Sequence, residues 1–203
     1  MAMKPSSKKS RTTKPRETTS DRILDCAEFL VQTRGFSGFS YADIAAQLRI
    51  TNASVHHHFA TKAHLGRQLI QRYHEGFRAA LDRIDARGND ARKRLQAYVK
   101  LYRDVLRDRE RMCLCGMLAA DFTVLSPPLR RSLRAFFEMN EEWITQVLTE
   151  GQSKRSFHLI RPPRDEARRL LAALEGAMLV ARCFGDVARF RSAAEGLLAG
   201  LTA

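Results

Sequence analysis

Hydrophobic residues recur along this chain at the three- and four-residue spacing of an amphipathic α-helix. The first clear case lies between residues 21 and 34, where one face carries Ile23, Leu24, Ala27, Leu30 and Val31. An apolar stripe of this period is typical of a helix that packs on a core. No alternating segment of useful length predicts a strand, and no proline lies between Pro15 and Pro127. The pattern therefore predicts an all-α fold.

Capping residues and helix breakers divide the chain into nine predicted helices. Ser20 is expected to cap the first helix, and Ser40, Thr51 and Thr61 are expected to cap the next three, because their hydroxyls can accept from free backbone N–H groups. Proline, which the first helical turn tolerates, opens the seventh and eighth helices. The predicted ranges are about 21–34, 41–48, 52–59, 62–86, 90–107, 112–124, 126–151, 162–184 and 187–201.

The second and third predicted helices form a helix-turn-helix pattern. In the second, Ile44, Ala45 and Leu48 face inward, and a tight Arg49-Ile50 connection follows. The third places Val55 and Phe59 inward and leaves small polar and histidine side chains outside, namely Asn52, Ala53, Ser54, His56 and His57. Short polar side chains let a recognition helix approach base edges in the major groove.

From Ser20 to about Leu69 the sequence resembles the tetracycline-repressor (TetR) family of bacterial transcription regulators. The elements that carry the resemblance follow in order: Ile23-Leu24-Asp25-Cys26-Ala27, Gly35, Asp43-Ile44-Ala45, Ile50-Thr51, His57, Phe59, Thr61-Lys62 and Leu65. Two positions depart from the family pattern, with Ala53 in place of the usual Gly and His56 in place of Tyr. His56 is expected to weaken a phosphate contact or to make it dependent on pH.

The resemblance implies a set of DNA contacts at matching positions. Phosphate contacts are expected from Ser40, Thr51, His56, His57 and Lys62, and base contacts from Asn52, Ala53 and Ser54. Lys62 is in the first turn of a helix, whose N-terminus favours anions, and an asparagine can pair bidentately with adenine. For Ser40, Thr51 and Thr61 the alternative role is plain helix capping. The run His56–His58 is not expected to bind metal, because successive helical residues point about 100° apart.

The resemblance further implies a DNA-binding domain at 20–66 and a helical ligand-binding and dimerisation domain at 67–203, which would bind an unknown small-molecule inducer. Candidate pocket residues are Phe77, Tyr98, Tyr102, Cys113, Met117, Phe122, Phe137, Trp143 and Met178. The alternative for each is an ordinary core position, because aromatic and methionine side chains at helical spacing commonly pack in cores.

The last two predicted helices carry a wider apolar stripe than one packing face requires, which indicates a second partner. Its members are Leu170, Leu174, Ala177, Ala181, Ala194, Leu197, Leu198 and Leu201. The resemblance implies that the partner is a second copy of the chain. Such a homodimer would present two recognition helices to a palindromic operator in double-stranded DNA.

The segment from Arg111 to Asp121 is similar to one in a subgroup of the family, some of whose members respond to electrophiles or oxidants through a cysteine. Arg111 and the helix N-terminus are expected to lower the pKa of Cys113. This allows a repressor switched by thiol modification at Cys113 or Cys115; the alternative is two small buried hydrophobes. Cys26 and Cys183 are predicted to be core residues.

The chain of 203 residues carries 35 Lys and Arg against 22 Asp and Glu, a formal charge of +13. This excess favours nucleic acid or an anionic membrane surface as partner. Residues 1–19 form a predicted disordered basic arm, either a solubilising tail or a DNA contact: Lys4, Lys8, Lys9, Arg11, Lys14 and Arg16 against Glu17. A non-specific basic nucleic-acid-binding protein would also fit the charge, but it leaves the recognition-helix pattern unexplained.

Other classes of protein are disfavoured. None of the P-loop, dinucleotide-binding, zinc-protease or nucleophile-elbow motifs occurs, so neither an enzyme nor a cofactor is expected. The longest apolar run, from Met112 to Ala120, is too short to span a bilayer. Four cysteines without a C-x-x-C pattern are typical of a reduced, cytoplasmic protein. The sequence therefore predicts a homodimeric repressor that a small-molecule inducer releases from its operator.

Overall fold

The computed structural model describes residues 18–88, 90–108 and 111–202. These residues form nine α-helices and no strand, which confirms the all-α prediction. The helices are α1 (Thr19–Arg34), α2 (Tyr41–Leu48), α3 (Asn52–His58), α4 (Lys62–Asp85), α5 (Ala91–Arg107), α6 (Leu114–Ala120), α7 (Pro127–Ser153), α8 (Pro163–Cys183) and α9 (Val187–Ala199). The predicted basic arm lies outside the described residues, except for its last two.

The first helix begins earlier than predicted, because Thr18 caps it instead of Ser20. The Thr18 hydroxyl accepts from the Asp21 backbone N–H at 3.1 Å, and the Asp21 carboxylate accepts from the Thr18 N–H at 3.1 Å. This reciprocal capping box satisfies two backbone donors at the helix start. Ser20 is therefore a residue of the first turn and not the cap.

The sixth helix is shorter than the predicted range 112–124. Before α6, the Met112 backbone N–H donates to the Gln32 carbonyl at 3.2 Å, so this N–H pairs with the end of α1. After α6, Asp121 ends the helix and a short 3₁₀ turn covers Phe122–Val124. The residues at both ends of the predicted helix therefore form a tertiary contact or a turn, which the spacing of apolar residues does not reveal.

Helices α1 to α3 form a small unit at the N-terminal end. Helix α4 begins beside this unit and then packs among the remaining helices, so it connects the two parts. Close approach at this junction depends on Gly66. A Cβ there would lie 2.8 Å from Leu129 Cδ2 on α7 and 3.1 Å from the Phe36 ring. Arg72 on α4 also pairs with Asp25 at 2.8 Å and with Glu28 at 3.0 Å, both on α1.

An ionic cluster around the buried Arg94 side chain joins α4, α5 and α7 where α4 ends. The Arg94 side chain is only 7% exposed and lies 2.8 Å from both Asp85 and Glu150. The indole N–H of Trp143 donates to Asp85 at 3.0 Å. A buried charge is tolerated when it is paired and hydrogen-bonded, and Arg94 meets both conditions.

Two helical glycines provide a test of the packing. A Cβ at Gly151 in α7 would lie 2.2 Å from Phe157 Cδ2, whereas a Cβ at Gly76 in α4 meets nothing within 4 Å. We expect Gly151→Ala to lower the free energy of unfolding by about 1–3 kcal/mol through overpacking. The control, Gly76→Ala, should raise it by about 0.5–1 kcal/mol, because alanine restricts the unfolded backbone. Urea unfolding followed by circular dichroism measures both, and equal stabilities would contradict the placement of Phe157.

Candidate nucleic-acid interface and ligand cavity

The turn between α2 and α3 depends on one left-handed residue. Arg49 has φ 56°, and its N–H donates to Ala46 O at 3.3 Å. The next N–H, of Ile50, donates to Ala45 O at 3.0 Å. A non-glycine residue in this conformation costs roughly 1–2 kcal/mol. These hydrogen bonds and the packing of Ile50 against the core hold Arg49 in this conformation and so fix the turn from α2 to α3.

The inner face of α3 is held by apolar packing and one buried hydroxyl. Val55 and Phe59 are buried, and the Tyr41 hydroxyl donates to Phe59 O at 2.8 Å. Burial raises the pKa of Tyr41 to about 12, so it remains a neutral donor. The Tyr41 ring also meets His56 edge-on, with centroids 4.7 Å apart. The contacts fix the start of α2 against the end of α3.

The outer face of α3 carries the residues predicted to contact DNA. Asn52, Ala53, His56 and His57 are exposed, and Ser54 is half-buried. Their position on one accessible helix face agrees with the predicted inward and outward pattern. Their contacts to bases and phosphates remain predictions.

The capping roles predicted for Ser40, Thr51 and Thr61 are confirmed. Ser40 forms a capping box with Asp43, and the Thr51 hydroxyl accepts from the Ser54 N–H at 3.1 Å. Thr61 accepts from the His64 N–H at 3.1 Å. Since these hydroxyls accept from backbone groups at the helix starts, the phosphate contacts predicted for Ser40 and Thr51 would be additional to capping.

Lys62 has a role inside the protein that the sequence did not reveal. Its ammonium donates to the Phe39 carbonyl and lies 4.2 Å from the Phe39 ring centroid and 5.0 Å from that of Phe36. Burial lowers the pKa of this half-buried side chain. Cation–π contacts thus join the start of α4 to the loop between α1 and α2. An ammonium carries three donors, so the predicted phosphate contact remains compatible with this arrangement.

A cavity of about 330 Å³ lies among α6, α7 and α8. Its volume is at the lower end of the range for small-molecule sites. Two of the predicted pocket residues, Met117 and Phe137, line it. The rest of the lining is mostly alanine, leucine and methionine, with three charged side chains: Glu141, Arg168 and Glu175.

The other predicted pocket residues do not line this cavity. Tyr98 donates to Asn140 Oδ1 at 2.8 Å and lies 3.1 Å from the Tyr102 hydroxyl, all within the packed core. Phe77 packs edge-on against Phe136 with centroids 5.3 Å apart, and Phe122 lies beneath the Arg130 guanidinium at 4.8 Å. The side chains buried in the core instead are Tyr98, Tyr102, Cys113, Trp143 and Met178.

The expectation of a lowered pKa at Cys113 is wrong. Burial raises the pKa of both Cys113 and Cys115 well above the ordinary range, and the nearby Glu175 carboxyl adds to the effect at Cys113. Arg111 does not offset this, because its guanidinium binds Asp108 and Gln32 instead. Cys26 is buried as expected, but Cys183 at the end of α8 is exposed and is not a core residue.

Glu175 is the cavity residue that sequence reasoning missed. Burial raises its pKa from an ordinary 4.5 to about 7, and a hydrogen bond from Cys113 only partly offsets this. Its Oε1 atom is buried without a hydrogen-bond partner among the described residues. A Cβ on Gly116 would lie 2.5 Å from Oε2, so the glycine in α6 makes room for the carboxyl. Gly116, a glycine inside a short helix, was the feature of the sequence that could have indicated a close contact here.

Most of the residues predicted to form the dimer interface are not available to a partner. Five of them are buried in the core of a single chain and have almost no area left for a partner: Leu170, Leu174, Ala181, Ala194 and Leu201. Ala177, Leu197 and Leu198 are half-buried. The large apolar side chains that α8 and its end expose are Leu179 at 58%, Val180 at 53% and Phe184 at 60%.

Two further features are absent from the part of the chain that the structure describes. No group of three or more His, Cys, Asp or Glu side chains is placed there to hold a metal ion. None of the helices described combines the length and apolarity that crossing a bilayer would need.

An N-terminal helix-turn-helix unit joined to a larger helical domain with a cavity defines a class of DNA-binding regulators. Residues 23–69 match the family model of bacterial regulatory proteins, tetR family. Residues 91–197 match that of the tetracyclin repressor-like C-terminal domain. The chain belongs to the TetR family of DNA-binding transcriptional regulators, and its relatives are regulators, not enzymes.

Solved structures and a curated relative agree with this assignment. A TetR-family transcriptional regulator from Agrobacterium tumefaciens is 34% identical, with 91% of this chain and 97% of that chain covered and a TM-score of 0.87. A TetR regulator from Legionella pneumophila is 28% identical over 91% and 97% of the two chains, with a TM-score of 0.83. The HTH-type transcriptional repressor DhaR of Mycobacterium sp. (strain GP1) is 26% identical over 72% of this chain and 73% of its own length.

The raised pKa of Glu175 predicts a pH-dependent stability. Between about pH 4.5 and pH 7 the folded protein keeps a proton that the unfolded chain releases, so stability falls as pH rises through this window. Glu175→Gln removes this loss and should be more stable than wild type above pH 7, by on the order of 3 kcal/mol. Urea unfolding of both proteins at about pH 4 and pH 8 gives the difference.

The exposed Glu142 provides the control, since Glu142→Gln should follow wild type at both pH values. A gain at Glu175→Gln that is the same at both ends of the window would show that Glu175 titrates normally.

Proposed function

We propose that this TetR-family protein is a homodimeric repressor that binds a palindromic operator and is released when a small molecule occupies the cavity among α6, α7 and α8. The observation that carries the proposal is the position of α6. This helix lines the cavity with Gly116 and Met117, and the segment that contains it is hydrogen-bonded to the DNA-binding unit at both ends.

On the DNA side, the proposal rests on the exposed face of α3. Asn52 and Ala53 are in the first turn, where a recognition helix approaches base edges. The net charge of +13 strengthens attraction to phosphates at any sequence. Specificity must therefore come from the α3 side chains, because the charge alone binds all duplexes alike. The protein would act in the cytoplasm, where chromosomal DNA is accessible.

On the ligand side, two sets of contacts lead from α6 to the unit formed by α1 to α3. The Asp121 carboxylate at the end of α6 accepts from the Ser37 N–H at 3.0 Å. The Met117 sulfur lies 3.7 Å from Arg182 Nη1, and the other terminal nitrogen of Arg182 donates to the Thr33 carbonyl near the end of α1. A ligand that displaces α6 would thus act on the orientation of the DNA-binding unit.

A ligand releases DNA only if it binds better to the arrangement that fits the operator poorly. The two binding events then oppose each other through one coupling free energy, typically 1–3 kcal/mol. In a dimer this requires only a change in the spacing of two α3 helices, since the half-sites are about one helical turn apart. The description of DhaR as a repressor supports repression over activation.

The proposed dimer is formed by the exposed apolar side of α8 together with α9. Leu179, Val180 and Phe184 expose more than half of their surface in a single chain. A Cβ added at Gly176 or Gly196 would meet no atom within 4 Å, so both helices could approach a partner closely. Exposed apolar surface of this kind is typical of an oligomer interface.

Operator binding by wild type and Asn52→Ala tests the DNA-binding part of the proposal. Fluorescence anisotropy at about 150 mM salt would use the promoter region next to the gene and a scrambled duplex of equal length. We expect wild type to prefer the promoter duplex by about a thousandfold or more. Asn52→Ala should lose about tenfold or more on that duplex, because a bidentate base contact is removed, and little on the scrambled one.

The matched control is Gln152→Ala, an exposed amide at the far end of α7, which should leave both affinities unchanged. Equal affinity of wild type for the two duplexes would contradict specific recognition at this promoter. An equal loss on both duplexes would show that Asn52 does not contact bases.

A charge on α8 tests the dimer. Val180→Glu should convert the dimer to monomer while the fold is kept, because burying an unpaired carboxylate at an interface is costly. Val124→Glu places the same charge at another exposed apolar position, 63% exposed beyond α6, and should leave the dimer intact. Light scattering coupled to size-exclusion chromatography gives the mass. A Val180→Glu protein that remains dimeric would place the interface elsewhere.

A further inference from the structure

The cavity among α6, α7 and α8 has a chemistry of its own that bears on which ligand it takes. Its apolar walls include Met112, Met117, Phe137 and Leu171. Such a lining favours a ligand with a hydrophobic body. The polar groups are few, and they decide which charge that ligand can carry.

The charged residues of the cavity differ in how well they are paired. Arg168 lies 3.4 Å from Glu141 and 3.3 Å from Asp165, so its charge is already balanced by carboxylates. Glu175 has no such partner, and its Oε1 atom is buried without a hydrogen bond among the described residues. Glu175 is therefore the lining carboxyl whose charge nothing in the described chain neutralises.

None of the described lysine, arginine or histidine side chains forms an ion pair with Glu175. The titratable side chains that face it stay neutral at physiological pH because burial raises the pKa of each: Tyr73, Tyr98, Tyr102, Cys113 and Cys115. Glu175 is in the middle of α8, where the backbone N–H groups are used within the helix, and the Gly116 N–H in the first turn of α6 donates to the Cys113 sulfur. The cavity thus presents acceptors and few free donors, and it is complementary to a ligand that brings its own donor and a positive charge.

We propose that the cavity binds a hydrophobic amine in its ammonium form, with the Glu175 carboxylate as the charge-selecting contact. This inference rests on the proposed function, because it names the chemical class of the small molecule that would release DNA. The ammonium would pair with the Glu175 carboxylate, and the Phe137 ring and the methionine sulfurs would offer polarisable surface to the cation. Gly116 permits the arrangement, since any side chain there would collide with the carboxyl.

Three probes of one shape and different charge test the proposal: phenylbutylamine, phenylbutanol and phenylbutanoate. Isothermal titration calorimetry of the protein without DNA, at about pH 8, measures each affinity. Wild type should bind the amine at least about tenfold more tightly than the alcohol, as expected for a charged hydrogen bond in a buried site, and the acid most weakly. The amine should also lose affinity towards about pH 6, where Glu175 is protonated.

Two variants separate the contact from general effects on the cavity. Glu175→Gln should bind the amine about tenfold or more weakly and leave the alcohol within about twofold of wild type. Gly116→Ala keeps the carboxylate but forces it from its place, and should also weaken amine binding. The control Glu142→Gln, at an exposed glutamate on α7 outside this cavity, should change nothing.

Several results would overturn the proposal. Wild type could bind the amine no more tightly than the alcohol or the acid, or it could bind none of the probes at millimolar concentration. Glu175→Gln could also leave the affinity for the amine unchanged. Failure of the proposed function would be visible separately, because operator binding is measured with DNA and no probe. Amine selectivity without sequence-specific DNA binding would leave this inference standing, and specific DNA binding without amine selectivity would remove only this inference.

Discussion

The short helix α6 packs against the DNA-binding unit on one side and forms a wall of the cavity on the other. Leu114, Cys115 and Leu118 are fully buried. The flanking polar groups pair with that unit, Met112 N–H with Gln32 O and Asp121 with the Ser37 N–H. Buried backbone groups need partners, and interiors are close-packed, so α6 can move only by breaking or replacing these contacts. This makes α6 suited to two discrete positions and thus to the coupling that we propose.

Two ionisable side chains, Arg94 on α5 and Glu175 on α8, differ in how well the structure pairs them. Arg94 has two carboxylates at 2.8 Å and the Trp143 ring beside it, and it joins three helices. Glu175 has one hydrogen bond from a thiol and one unpaired oxygen, so its charged form is disfavoured and its pKa rises to about 7. An unpaired buried carboxyl lowers stability above the pH of its titration. Its position in a cavity wall connects that loss with the ligand selection that we propose.

Local features of the sequence were sufficient to predict the helices and the exposed face of α3. Helical period and capping depend on residues three or four positions apart, so Ser40, Thr51 and Thr61 could be assigned as caps, and Asn52 and His56 could be placed outward. The family resemblance also rested on the segment from Ser20 to about Leu69, which contains α3. Thr18, Thr19 and Ser20 all carry hydroxyls at the start of α1, and the reciprocal contact with Asp21 identifies Thr18 as the cap.

The tertiary structure alone decided what each face meets, because burial and pairing depend on residues distant in sequence. Tyr98, Tyr102 and Trp143 filled the core, and five residues assigned to the dimer surface packed within one chain. The surroundings of the ionisable groups also depend on residues that are far apart in the sequence. Lys62 lies over Phe39, Cys113 lies beside Glu175, and Glu175 fits against Gly116. The sequence by itself determined the class of protein and the exposed face of α3. Packing determined where the cavity lies and which carboxyl is left unpaired within it.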